Sequence, residues 1–313
     1  MKKTIKRLFN LLIIICLSII LLSQLSFLTR PSGSYRDIDV INTLHNFPKD
    51  SIEVMGLGPS TTHRSIIPFQ LYEDYGIGSF NFTGPSQGID TTLLYLKDML
   101  IYQHPKVILI STYKFDTAGT EAMNFVKYST KFLDSSVDKT EYLKNSFGSN
   151  IEGYVSYYFP LWSFHGNWTK IKKNAFREKN NYNILRNMGY KRIGTVEKIQ
   201  IAEHSEEQIA LPDYSIQCLE EITEICHKEQ IELVLFSPPC GVPNLYSDYL
   251  YDFALNNNIT YLDLTDYLDQ LCMDENKDFS DDVHTNNSGA AKVTDFIGKY
   301  LTENYDLTDM RTV

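Results

Sequence analysis

Short apolar runs that end in glycine, proline or serine alternate along this chain with stretches whose apolar residues recur every three or four positions. The runs at Ser51–Leu57, Ser79–Phe82, Pro105–Ser111, Ile231–Phe236 and Ile259–Leu264 read as buried strands. Helical spacing carries Ile89, Leu93, Leu96 and Leu100, then Ile216, Leu219, Ile222 and Cys226, and finally Ala290, Val293, Ile297 and Leu301. Pro68 opens a further helix, because proline is welcome in a first turn, and another is expected from Leu245 to Asn256. Strands alternating with helices through short connections predict a parallel sheet with right-handed crossovers. The expected fold is therefore α/β: a three-layer α/β/α sandwich around a five-stranded parallel sheet.

Two stretches break that rhythm. From Leu8 to Leu28 the chain is almost unbroken in apolar residues, and these 21 positions would reach roughly 31 Å as a helix, about the hydrocarbon thickness of a bilayer. The run is long for a signal-peptide core and no small-residue cleavage site follows it, so an uncleaved anchor is expected, with a cleaved signal peptide as the alternative. Lys2, Lys3, Lys6 and Arg7 then place the amino terminus in the cytoplasm and the main domain outside it. The second break, residues 114–210, reads as a helical insertion across the top of the sheet. It is dense in aromatics, including Tyr154, Tyr157, Tyr158, Phe159, Trp162, Phe164 and Trp168, and carries the basic run Lys170–Lys173. Trp162 and Trp168, with His165 between them, suit a platform for a sugar polymer; equally, the aromatics could form a satellite cluster that holds the insertion down. The expected organisation is tail and anchor at 1–30, linker at 31–50, α/β domain at 51–304 and a tail at 305–313.

Composition narrows the function classes. A net charge of −10 argues against a nucleic-acid partner, which needs a basic footprint. Five cysteines, one of them Cys16 inside the apolar run, are few for a disulfide scaffold. Cys218 and Cys226 lie eight residues apart in one helix, too far to bridge, which leaves Cys240 and Cys272 as a candidate pair. No His/Cys cluster has zinc-site spacing, and the reading calls for no metal and no cofactor.

The candidate chemistry sits at two distant points. Ile52–Leu57 ends in Gly58-Pro59-Ser60-Thr61, which puts a serine at the carboxyl end of a buried strand, where open α/β sheets place their ligands. Near the other end, Asp281 precedes His284 by three residues, just before the last helix. An acid at that spacing can hold an imidazole from one nitrogen while the other faces a serine. Each half has a plainer reading: the first is a turn, the second a polar loop capping the helix. Together they make Ser60, His284 and Asp281 a candidate catalytic triad.

At these residues the chain resembles the SGNH, or GDSL, hydrolase superfamily, whose first block is a strand followed by Gly-Asp-Ser and whose last is Asp-x-x-His. It is more similar to a membrane-anchored branch that includes proteins of teichoic acid D-alanylation and alginate acetylation. Members of that branch carry Tyr-Gly-Ile and Tyr-Asn-Leu-Gly-x-x-Gly-Gln, matched here by Tyr75-Gly76-Ile77 and by Phe80-Asn81-Phe82-Thr83-Gly84-Pro85-Ser86-Gln87. The similarity covers roughly residues 50–113 and 211–304. It implies a flavodoxin-like sheet, a serine esterase or O-acyltransferase acting on a cell-envelope polysaccharide or teichoic-acid-like polymer, and a membrane-bound O-acyltransferase as partner. Thr61, Asn81, Gly84 and Gln87 become oxyanion or substrate-contact candidates. Two features depart from the pattern: Pro59 removes a backbone N–H from the nucleophile turn, and no Gly-x-Asn-Asp block follows Ser111-Thr112-Tyr113. They favour the alternative, a catalytically silent binding or assembly factor for an envelope acylation complex.

The topology is directly testable. Protease added to intact spheroplasts is expected to digest the main domain, and protection until the cells are lysed would reverse the assigned orientation.

Overall fold

The computed structural model describes residues 2–29, 35–119, 124–170, 181–205 and 207–312. Within them lies a five-stranded sheet formed by β1 (Val54–Leu57), β2 (Ser79–Asn81), β3 (Val107–Ser111), β4 (Glu232–Ser237) and β5 (Thr260–Asp263). The order is β2-β1-β3-β4-β5 and every pairing is parallel. The expected α/β class and strand number are thus observed. The strands are shorter than the apolar runs that announced them because the flanking residues leave the ladder for the crossover connections.

Alternation along the strands divides two apolar layers. Met55, Leu57, Ile108, Ile110, Leu233 and Leu235 face a core completed by helices Tyr35–His45, Ile89–Tyr102, Asp213–Lys228 and Ser247–Asn257. Val54, Val107, Leu109, Val234, Phe236 and Leu262 face the other, filled by Leu71 of helix Pro68–Tyr75 and by Val293, Ile297 and Leu301 of helix Asn287–Asn304. Three layers result. Because the chain leaves β1 toward β2 on one side and returns to β3 on the other, the crevice at the carboxyl ends of β1 and β3 is the topological switch point.

Ser60 is delivered to that crevice by a two-residue turn. Gly58 takes φ +104, a region that L side chains rarely adopt, and a Cβ there would stand 3.2 Å from Thr62 Oγ1. Pro59 then precedes helix Ser60–Ser65, and Thr62 Oγ1 donates back to Leu57 O at 2.8 Å. The strand, the turn and the helix are thereby locked in one geometry.

Three peripheral segments differ from expectation. Residues 35–45, read as part of a linker, form a helix whose Val40, Ile41 and Leu44 are fully buried, and His45 Nε2 meets the buried Asp98 Oδ2 at 2.8 Å. Residues 305–312, read as a tail, are held to the domain: Met310 N–H donates to Gly76 O at 2.8 Å and Lys106 Nζ to Asp306 O at 2.9 Å. The insertion is helical in its first part, at Asn124–Ser129, Thr140–Phe147, Ile151–Tyr158 and Leu161–Phe164, and again at Asn181–Asn187. The described residues from 190 to 210 instead run without regular structure, because their backbone pairs with the rest of the domain: the N–H groups of Glu197, Ile199 and Ala202 donate to Phe279 O, Glu275 O and Cys240 O. Of the basic run, residues 171–173 lie outside the described residues. All five cysteines are free, so Cys240 and Cys272 do not pair.

Gly58→Ala is expected to destabilise the domain by about 1–3 kcal/mol, since alanine would be held in a strained backbone region. Chemical denaturation measures this, and an unchanged midpoint would show that the turn does not require glycine.

Candidate active site

Ser60 Oγ lies 2.7 Å from His284 Nε2, and His284 Nδ1 lies 2.7 Å from Asp281 Oδ1. A carboxylate can only accept, so the imidazole proton sits on Nδ1 and Nε2 accepts from the serine hydroxyl. The structure brings the three residues together in the order that a relay from serine to histidine to acid demands.

The local sequence explains how rigidly the acid and the imidazole are held. Asp281 Oδ1 also accepts the backbone N–H groups of Val283 and His284, each at 3.0 Å, closing a tight side-chain turn over three residues. Phe279 and Thr285 pair as an antiparallel bridge across the base of the loop, and Ser280 N–H donates to His284 O at 2.9 Å. Directly after it, Asn286 caps helix Asn287–Asn304, its Oδ1 accepting from the N–H groups of Ser288 at 2.9 Å and Gly289 at 3.3 Å. Both readings of the polar loop therefore hold, with different residues: Asn286 caps, while Asp281 and His284 face Ser60.

Arg64 was missed by the sequence reading. Its Nη1 reaches Asp281 Oδ2 at 3.2 Å, so Asp281 is gripped by an imidazole on one oxygen and a guanidinium on the other. The signal was present: in a helix opening at Ser60, residue 64 returns to the same face one turn later. Burial pushes the Asp281 carboxyl up, but the Val283 N–H, His284 and Arg64 outweigh it and hold the acid below its ordinary value. Burial lowers the His284 pKa, and Arg64 lowers it further against the pull of Asp281. His284 is accordingly neutral at neutral pH, the form able to accept a proton.

Cations gather at the two histidines although the chain as a whole is acidic, and Asp281 pairs with one of them. Arg64 and Lys191 act on both His63 and His284, and Arg36 joins them at His63. Lys191 is positioned by its own backbone, whose N–H donates to His63 O at 2.8 Å. His63 is fully buried, shares a 2.9 Å hydrogen bond with Thr83 Oγ1, and is driven well below its usual pKa first by burial and then by these cations.

The oxyanion candidates fare differently. Thr61 Oγ1 is engaged with Ser111 Oγ at 2.7 Å, tying helix Ser60–Ser65 to the end of β3. Asn81 Nδ2 donates to Ile66 O at 2.9 Å, and its side chain lies so close over Gly56 that a Cβ there would meet Asn81 Oδ1 at 2.5 Å. Gly84 N–H donates to Gln87 Oε1 at 2.7 Å. Thr61, Asn81 and Gly84 thus brace the crevice walls, and none of them is hydrogen-bonded to a triad member. Gln87 Nε2, by contrast, is a buried donor without a hydrogen-bond partner among the described residues. Trp162 and Trp168 stand apart from this crevice, on short helical turns that pack against the N-terminal apolar helix.

A cavity of about 200 Å³ opens next to the triad loop, between the carboxyl ends of β3, β4 and β5. Tyr113, Asp116, His204, Cys240, Asn244 and Thr265 contribute to its lining, and no triad residue does. Its wall joins the triad loop at Gly241, whose N–H donates to Asp282 O at 2.6 Å. Among the described residues no group of three or more His, Cys, Asp or Glu side chains is arranged to hold a metal ion. Comparison with family models, curated proteins and solved structures finds no match to this chain.

His284 is expected to titrate below about 6.5, the ordinary histidine value. Arg64→Gln removes a neighbouring positive charge and should move that titration to higher pH. Imidazole chemical shifts followed by NMR read both, and a shift to lower pH in the variant would contradict the assigned electrostatics.

Proposed function

We propose that this chain is a membrane-anchored serine hydrolase or O-acyltransferase of SGNH type, acting outside the cytoplasm on esters of a cell-envelope polysaccharide or teichoic-acid-like polymer. The observation that carries the reading is the continuous pair of 2.7 Å contacts from Ser60 Oγ through His284 to Asp281. In this reading His284 takes the Ser60 proton as the oxygen attacks an ester carbonyl. The tetrahedral oxyanion forms in the positive field of Arg64 and Lys191, and His284 returns the proton to the leaving alcohol. An acyl-serine remains, and either water or an incoming hydroxyl, deprotonated by His284, releases the acyl group. Asp281 fixes the tautomer throughout.

The polymer substrate and a membrane-bound O-acyltransferase partner come from the resemblance at Gly58–Ser60, Tyr75–Gln87 and Asp281–His284, together with the apolar N-terminal helix. These rest on analogy of motif and topology. No step calls for a cofactor.

A second reading is favoured by one observation: Pro59 supplies no N–H beside the nucleophile, and Asn81, Thr61 and Gly84 are engaged in bracing contacts. A chain of this fold that retained the triad geometry without an oxyanion hole would be a binding or assembly factor of an acylation complex.

Labelling with a fluorophosphonate separates the two. The wild-type chain is expected to label and Ser60→Ala not to. On a small acetyl ester, Ser60→Ala should lose on the order of 10⁶-fold in kcat. Asp281→Asn should lose on the order of 10⁴-fold, because the nucleophile and base stay while the tautomer is spoiled. Labelling that persists in Ser60→Ala but disappears in Thr61→Val would move the nucleophile by one residue. No labelling of the folded wild type would favour the assembly factor.

A further inference from the structure

The N-terminal apolar helix is not a free tether. Among the described residues one helix, Lys3–Leu28, is long and apolar enough to cross a membrane, and almost all of it is unburied. Its last turns are the exception, with Ser26 and Thr29 buried against the insertion. Phe27 meets Phe132 edge to face with ring centroids 6.4 Å apart, and Asn167 Nδ2 donates to Thr29 O at 3.0 Å. The contact extends down the helix: Ile19 and Leu22 share a cleft with Phe132, Tyr158, Phe159 and Pro160.

That depth is informative. If Leu28 marks the edge of the hydrocarbon, a rise of about 1.5 Å per residue puts Leu22 roughly 9 Å and Ile19 roughly 14 Å below it. Side chains flanking those two residues must then lie at headgroup level or deeper. The same segment presents large apolar surface that nothing among the described residues covers: Tyr158 is 62%, Trp162 60% and Trp168 68% exposed, and Ile151 is 76% exposed. Lys131 lies in the same cleft and directs its ammonium to Tyr158 O at 3.0 Å, keeping the charge near the backbone while its stem lies along apolar surface. Tryptophan and tyrosine beside the end of an apolar span, with an apolar body and a polar edge, are the residues that settle at a bilayer interface.

We infer that the ridge from Ile151 to Trp168 is a membrane-interface surface that dips into the leaflet at the carboxyl end of the span. Its partner is the headgroup and upper acyl region of the bilayer that holds the helix. Span and ridge together fix the height and tilt of the α/β domain above the membrane, as a single flexible span could not. The inference is independent of the chemistry assigned to Ser60, and it gives Trp162 and Trp168 a role other than a polymer platform.

Trp162 and Trp168 are the chain's two tryptophans, so its tryptophan fluorescence reports on this ridge alone. The full-length protein is reconstituted into vesicles of phosphatidylcholine and phosphatidylglycerol whose acyl chains carry bromine either near the headgroup or near the bilayer centre. Emission is expected to fall at least about twofold with shallow bromine and less with deep bromine, as for rings at the interface. Aqueous iodide should quench it weakly. Trp162→Phe and Trp168→Phe each leave a single emitter and should behave alike. Emission indifferent to bromine and strongly quenched by iodide would overturn the inference. So would emission shielded from iodide only after soluble envelope polysaccharide is added, which would restore the polymer platform.

Discussion

The hydrogen bond between Ser60 Oγ and His284 Nε2 joins residues 224 positions apart, and the rest of the architecture is a set of conditions for it. Ser60 is placed by β1, by the left-handed Gly58 and by the short helix that follows. His284 is placed by the Asp281 turn and the Asn286 cap, which is itself anchored by the buried face of the last helix against the sheet. The two supports also touch each other directly: Thr285 Oγ1 donates to Arg64 O at 2.9 Å, and Thr294 Oγ1 donates to Ser65 O at 3.0 Å while accepting Ile67 N–H at 2.9 Å. The last helix therefore acts as a splint across helix Ser60–Ser65, so that the placement of the two side chains rests on packed helices and on a loop closed by its own hydrogen bonds.

Charge around this contact is arranged against the trend of the molecule. A chain of net charge −10 directs Arg64 and Lys191 toward the imidazole, with Arg36 further along at His63. Arg64 does two opposed things: it depresses the His284 pKa through space and steadies the acid that would raise it. The outcome is a neutral imidazole held in one tautomer beside a hydroxyl. An arginine closer to the histidine would make it a poorer base; without one, Asp281 would keep its turn but lose the partner on its outer oxygen.

Where the domain meets the N-terminal apolar helix, a second constraint operates. The helix Tyr35–His45 begins seven residues beyond Leu28, the end of the apolar helix, and sinks Val40, Ile41 and Leu44 into the main core. The insertion meanwhile grips the end of the span from the side. The domain is thus joined to the apolar helix both along the chain and through the insertion's contacts at Phe132 and Asn167.

By itself the sequence determined the strand count, the helix faces and the two blocks that meet at the site. Those signals are local: apolar periodicity, a glycine and a proline ending a strand, an acid three residues before a histidine. Arg64 was legible in principle from helical spacing with Ser60, whereas the grip of Lys191 on His63 was not, because it depends on an irregular segment laid across the crevice from more than a hundred residues away. Tertiary structure alone decided that Thr61, Asn81 and Gly84 brace the crevice, that residues 35–45 belong to the core, and that Trp162 and Trp168 stand beside the apolar span rather than over the sheet. The physical reason is common to all three. Propensity and pattern fix what a segment becomes, but which polar atom finds which partner is set by long-range packing, and the same asparagine, threonine or tryptophan would serve several neighbours equally well.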